Sequence, residues 1–185
     1  YSGAAIGPSW DSGKTWNREH TWPNSKGLGG ADENDIMMLR PTSTSENSGR
    51  GNKAYGQSSG YYNPNSESGG KHDLRGDVSR IMLYQYVRWG NTQYMWGASG
   101  VMESKEILLK WMEEDPVDTW EMGRNDAVQS ITGTRNIWAR MDRYGKSSLD
   151  KLHIGVKCAV KLCGKLRRTY FNYFLFHIVL LTRIC

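Results

Sequence analysis

The strongest constraint on the fold is a change of pattern at Asp73. Residues 1–72 are rich in Gly, Ser, Asn and Pro and hold few long apolar runs, so they read as loops with short strands. From Asp73 onward apolar residues recur at helical spacing. Leu74, Val78, Ile81, Met82 and then Gln85 or Trp89 fall near one face of a helix over 73–89, and Gly90-Asn91 ends it. A second helix is predicted over 103–114, with Ile107, Leu108, Trp111 and Met112 inward and Pro116 as its stop. A third is predicted over 117–131, with Trp120, Val128 and Ile131 apolar and Gly133 beyond its end. Loops and short strands first, helices afterwards, point to an α+β domain.

The first part has its own order. Residues 14–22 alternate weakly and carry Thr15, Trp16, Thr21 and Trp22, so they read as a short strand ended by Pro23. Residues 36–39 form a second apolar run, closed by Pro41, and are its candidate partner. Residues 43–52 suit a short helix, with Thr42 or Ser43 as N-cap and Gly49 or Gly51 as its limit. Residues 56–72 read as a polar loop, and the chain shows no internal repeat.

Length and charge bound what such a chain can do. Its 185 residues suit about one domain, and nothing approaches the run of about 18 apolar residues that a transmembrane helix needs. The net charge of +5 invites nucleic-acid binding, but it is unevenly spread, being −2 over residues 1–140 and +7 over 141–185. Nucleic-acid binding inferred from pI would rest on the tail alone and is set aside. The tail also holds all three Cys (Cys158, Cys163, Cys185) and all three Phe, whereas all eight Trp lie at or before Trp138. This break, near 138–145, is the clearest internal boundary. An odd number of Cys argues against a complete internal disulfide framework. Residues 170–181 are nearly all apolar but too short to span a bilayer, so a buried strand or helix is expected there. With no initiator Met and no signal-like run at Tyr1, the chain is expected to be a fragment or a processed form.

Four histidines occur, His20, His72, His153 and His177, and only His20 has informative neighbours. Arg18-Glu19-His20 sets a cation, a carboxylate and an imidazole side by side shortly before Pro23. A carboxylate can hold a hard cation and an imidazole can act as a base near neutral pH. Consecutive strand residues point to opposite faces, so both serve one site only at a strand end or a distortion. The next dense polar segment is Glu46-Asn47-Ser48-Gly49-Arg50-Gly51-Asn52. Its Asn carbonyl oxygens are reasonable Mg²⁺ ligands, and its plain alternative is a Gly-rich loop with turn-forming Asn. Taken alone, these residues stop at a His/Glu/Asn constellation without naming a reaction.

Residues 16–25, Trp-Asn-Arg-Glu-His-Thr-Trp-Pro-Asn-Ser, resemble the signature of the bacterial endonuclease I family of sugar-non-specific nucleases. Residues 35–41, Asp-Ile-Met-Met-Leu-Arg-Pro, resemble its second motif, and Glu46-Asn47 with Arg50-Gly51-Asn52 its third. Gly76-Asp77-Val78-Ser79-Arg80, the segment 108–117, Arg124-Asn125-Asp126 and Thr134-Arg135-Asn136 follow in the family's order, so the likeness covers residues 6–136. It implies a ββα-metal (His-Me) finger supported by several helices. It implies a Mg²⁺-dependent, sequence-non-specific endonuclease, other divalent cations being possible cofactors, that cuts DNA and by extension RNA to leave 5′-phosphate ends. By the family's pattern His20 is the general base, and Glu19 and Asn47 hold the metal. Location is expected to be secreted or periplasmic, and the protein a monomer with nucleic acid as its partner and no membrane association.

Departures qualify the likeness. Met37-Met38 stand where many members have His-His or His-Asn, and on a short strand they are most simply core. A phosphate-binding Arg found between the first two motifs in some members has no counterpart. Arg40, Arg50 and Arg135 are candidates for that role, Arg40 the first choice, with a surface ion pair as its plain alternative. Residues 1–138 are expected to be the nuclease domain, lacking the family's first strands, and 139–185 an atypical basic tail. That tail is either a frameshifted or read-through ending or an accessory segment that binds phosphate backbones. A crippled nucleic-acid-binding relative is the alternative function, and a Trp-rich sugar-binding surface a more remote one.

Overall fold

The computed structural model describes residues 7, 9–64, 73–90 and 92–139. His72, His153, His177, the three Cys and the apolar run at 170–181 lie outside the described residues. The elements are β1 (Trp16–His20), β2 (Leu39–Ser43), α1 (Thr44–Arg50), α2 (Arg75–Trp89), a 3-10 turn at Thr92–Tyr94, α3 (Lys105–Glu114) and α4 (Thr119–Thr132). Two strands and four helices among the described residues bear out the α+β expectation.

Strands β1 and β2 pair antiparallel, with Trp16 opposite Ser43, Glu19 opposite Arg40 and His20 opposite Leu39. Helix α1 follows β2 without a loop and packs on both strands. Ser43 is its N-cap. The Ser43 hydroxyl accepts from the Glu46 amide at 3.2 Å and donates to the Glu46 carboxylate at 2.9 Å. Gly51, at φ 55°, ends the helix by donating to the Asn47 carbonyl at 2.9 Å.

The second strand lies later than the apolar run at 36–39 implied. It begins at Leu39 and passes through Pro41. Residues 35–38 are held as a turn instead. Asp35 accepts from the Met37 amide at 2.9 Å, and Arg124 of α4 donates to the carbonyls of Ile36 at 2.6 Å and Met37 at 3.2 Å. Among the described residues the sheet has two strands, which makes β2 an edge strand, where a Pro is tolerated because no ladder bond needs its missing N–H. Met37 and Met38 are buried, as core packing required.

Helix α2 is buried all round from Gly76 to Tyr86, not along one face. Its apolar residues Val78, Ile81, Met82 and Leu83 join Leu108, Trp111 and Met112 of α3 in the core, with Met95 and Met102. A Cβ on Gly76 would stand 1.9 Å from the Asp115 carbonyl oxygen, so only glycine lets the α2 start approach the α3 end this closely. The polar residues of α2 are buried too. Arg80 Nε donates to Glu121 of α4 at 2.8 Å, Arg80 Nη2 to Asp77 at 3.2 Å, and Arg80 Nη1 to the Asp115 carbonyl at 2.8 Å.

Helix α4 corrects one expectation. Trp120 is 59% exposed and Ile131 74%, although both were expected on the apolar face; Val128 is buried. The inward stripe of α4 is Glu121, Asn125 and Val128, spaced four and three apart, and it is mostly polar because it meets the α2 ion pairs. Asn125 clasps the chain beyond the helix, donating to the carbonyls of Asn136 at 2.8 Å and Ala139 at 2.9 Å. Trp111 is core as expected, while Trp89 is partly exposed and donates to Asp35 at 3.0 Å.

Candidate active site

Strand alternation separates the neighbours of the first motif. Asn17 and Glu19 share one face of β1, and Arg18 and His20 the other. On α1, Asn47 and Arg50 are three apart and so lie on one side of the helix. The two faces meet. Asn47 Nδ2 donates to Asn17 Oδ1 at 2.6 Å, and Arg50 Nη1 donates to Glu19 Oε1 at 2.8 Å. Glu19 and Asn47, which nothing in their spacing requires to be close, are thus brought to one seam between β1 and α1. Arg50 is 1% exposed. It also donates to the carbonyls of His20 at 2.9 Å and Thr21 at 2.8 Å, and lies 4.6 Å from the Tyr55 ring centroid. It therefore fixes both the Glu19 carboxylate and the backbone that carries His20.

His20 is the last residue of β1 and is half-buried. Burial pulls its pKa below 6.5, with the charges of Arg18 and Arg50 acting the same way. The Glu33 carbonyl, which accepts from the ring, and the Glu33 carboxylate act in the opposite sense without reversing the shift. Lowering the pKa favours the neutral imidazole, the form that can accept a proton, and the Glu33 backbone lies beside the ring. The loop that presents Glu33 is braced. Asp32 accepts from the amides of Gly29 and Glu33, both at 3.0 Å. Asn24 donates to the Glu33 carboxylate at 2.9 Å, and Asp35 accepts from Tyr84 at 2.8 Å. Glu33 was not among the residues expected at the site. It acts largely through its backbone, which leaves no side-chain signature.

The candidate arginines fall in different places. Arg40, opposite Glu19 in the register, shares its face of the sheet; it pairs with Asp77 at 3.2 Å and lies 5.0 Å from the Trp120 ring centroid. Arg50 is committed to Glu19, and Arg135 pairs with Asp126 at 2.6 Å. Arg124, which no motif reading singled out for a role, is anchored to three carbonyls, those of Ile36 and Met37 and that of Leu39 at 2.8 Å. Burial brings its pKa down to about 9. It ties α4 to the turn leading into β2.

Among the described residues, no three His, Cys, Asp or Glu side chains converge as a metal cage. The seam instead offers one carboxylate and the carboxamide oxygen of Asn47, both hard donors. That set suits Mg²⁺, which keeps several waters and is held through one or two carboxylates together with substrate phosphate. The chemistry of the donor set therefore fits the ion that the motifs imply.

The family model described as Endonuclease I matches residues 2–140. This chain belongs to the endonuclease I family. The match contains every motif noted above and ends beside the composition break. An extracellular ribonuclease of Bacillus amyloliquefaciens is 32% identical over an alignment 133 residues long, which covers 61% of this chain and 46% of that relative. An extracellular ribonuclease of Bacillus subtilis aligns with the same identity and the same coverage, 32%, 61% and 46%. The chain thus spans about half the length of the curated relatives it matches. No helix among the described residues of this endonuclease I family member is long and apolar enough to cross a membrane.

Proposed function

We propose that this chain is a metal-dependent, sequence-non-specific endonuclease, built on a ββα-metal finger, that hydrolyses phosphodiester bonds of DNA and RNA to leave 5′-phosphate ends. The observation that carries the proposal is the seam between β1 and α1. It gathers Glu19 and Asn47 while the next residue of β1, His20, has its pKa lowered by partial burial. His20 takes the proton of an attacking water at the ring nitrogen that does not face the Glu33 carbonyl. Glu19 and Asn47 hold Mg²⁺, which when bound stabilises the charge on the phosphate and on the leaving 3′-oxygen. Arg40, on the Glu19 face, supplies a cation to the phosphate oxygens. Contacts confined to backbone carry no sequence information, in keeping with non-specific cutting.

A water nucleophile needs no 2′-hydroxyl, so one site serves both nucleic acids. The relatives' description as ribonucleases supports RNA as a substrate, and their description as extracellular supports secretion. The test is nicking of supercoiled plasmid and cleavage of a 5′-labelled RNA, each with Mg²⁺ and with EDTA, for the chain and for His20→Ala. Loss of one general base lowers the rate roughly 10²–10⁴-fold, with 5′-phosphate ends from the unaltered chain. Equal rates from His20→Ala, or 2′,3′-cyclic phosphate ends on RNA, would overturn the mechanism. Nucleic-acid binding without Mg²⁺-dependent cutting would establish the crippled relative instead.

A further inference from the structure

Among the described residues, seven of the eight arginines are committed: Arg40, Arg50, Arg75, Arg80, Arg88 and Arg135 to carboxylates, and Arg124 to carbonyls. Arg18 alone among them has neither kind of partner. It is exposed, and its guanidinium lies 5.2 Å from the ring centroid of Trp10. Trp10 is 54% exposed. Arg18 shares the His20 face of β1, two residues away, which is roughly 6.6 Å along a strand. It lies close enough for its charge to act on the imidazole.

We propose that Trp10 and Arg18 form a nucleotide subsite beside the active site, in which Arg18 holds the phosphate neighbouring the scissile one and Trp10 stacks on an unpaired base. The proposal rests on the nuclease reading only for the position of the scissile bond. An uncommitted guanidinium on the base's own face can engage a second phosphate, next to the one assigned to Arg40, without breaking an ion pair. Over half of the Trp10 surface is exposed despite the Arg18 contact, which leaves indole surface for a nucleobase, and stacking tolerates any base because each has a π-face. Bases within a duplex already stack on both faces, so the subsite selects single-stranded nucleic acid or locally opened duplex.

The test is fluorescence anisotropy in EDTA with a labelled single-stranded thymidine oligonucleotide and a duplex of the same length, so that binding is read without turnover. One stack lost in Trp10→Ala weakens single-strand binding about 5- to 100-fold, leaves duplex binding within about twofold, and is largely restored in Trp10→Phe. Arg18→Ala reduces the slope of log K against log salt by about 0.7 on the single strand. A structural tie alone would lower the melting temperature without changing that slope. The subsite is overturned by Trp10→Ala binding like the unaltered chain, by equal losses on single strand and duplex, by an unchanged slope in Arg18→Ala, or by an unaltered chain that does not bind the single strand. These binding effects without any Mg²⁺-dependent cleavage would leave the subsite standing and refute the nuclease. His20-dependent cleavage with a neutral Trp10→Ala would do the reverse.

Discussion

Replacing Arg50 by Met tests whether the site is held together as described. Arg50 is enclosed, its guanidinium 2.8 Å from a Glu19 carboxylate whose side chain is 3% exposed. Met fills much of the volume but donates nothing. Removing one partner of a buried pair costs roughly 3–5 kcal/mol, because the remaining charge stays out of water without its counter-ion. The carbonyls of His20 and Thr21 also lose their charged donor, adding about 1 kcal/mol or more. The sum, about 4–6 kcal/mol, is a large share of the roughly 5–15 kcal/mol that stabilises a typical domain. Urea unfolding with linear extrapolation reads it directly, and an unchanged slope shows that the unfolded state is not the cause. The double variant Glu19→Gln/Arg50→Met removes the buried charge with its partner and is expected to recover about 2 kcal/mol or more. A single-variant loss below about 1 kcal/mol, or a double variant no more stable than Arg50→Met, would refute the assignment of Arg50 as the counter-ion of Glu19.

Three further expectations follow from the supporting helices and the base. Gly76→Ala places a methyl against the Asp115 carbonyl, within 1.9 Å, and Arg80 Nη1, within 2.8 Å; backbone cannot yield as a side chain can, so a loss of about 3 kcal/mol or failure to fold is expected in thermal unfolding. Asp115 has its pKa raised to about 6 by burial, against the opposing Gly76 amide and Arg80 charge. The folded state therefore holds that proton more tightly, giving stability that is present below about pH 4 and lost as pH rises through about 6. After discounting for partial exposure, chemical unfolding across that window should show the unaltered chain losing on the order of 1–2 kcal/mol relative to Asp115→Asn, and a flat difference would be the contrary result. His20→Ala is expected to lower turnover roughly 10²–10⁴-fold while moving the melting temperature little, because the ring is only half-buried; a large fall would make His20 structural.

The order of elements was legible because its signals are local. Ser43 and Gly51 bound α1, Gly90 and Gly133 close α2 and α4, and Pro116 follows α3, each for a conformational reason that acts within a few residues. The place of β2 was not legible. Residues 36–39 have the apolar look of a strand, but Arg124, more than eighty residues later, takes the carbonyls that a strand partner would use. Trp120 was misplaced for a related reason. Helical periodicity assumes an apolar seam, whereas the seam of α4 faces the Arg80 and Asp77 charges of α2 and is lined by Glu121 and Asn125. Glu19, His20 and Asn47 were legible as a constellation, and Glu33 was not, since a carbonyl donates no residue-type signal to a sequence.

The adjacency of Glu19 and His20 has a physical logic that strand alternation makes plain. A carboxylate meant for a hard cation and a base meant to be neutral need opposite surroundings, and neighbouring positions on a strand supply them. Glu19 faces α1, where a buried guanidinium pairs with it and orients it. His20, one residue on, ends the strand on the alternate face, where partial burial lowers its pKa and the Glu33 backbone lies beside the ring. Arg50 reaches both, through the Glu19 side chain and the His20 backbone, so one residue of α1 couples the position of the ligand to that of the base. Lysine at position 50 could meet the carboxylate as a point charge but lacks the fork that bonds Glu19, His20 and Thr21 together. The coupling therefore depends on guanidinium geometry as well as on charge.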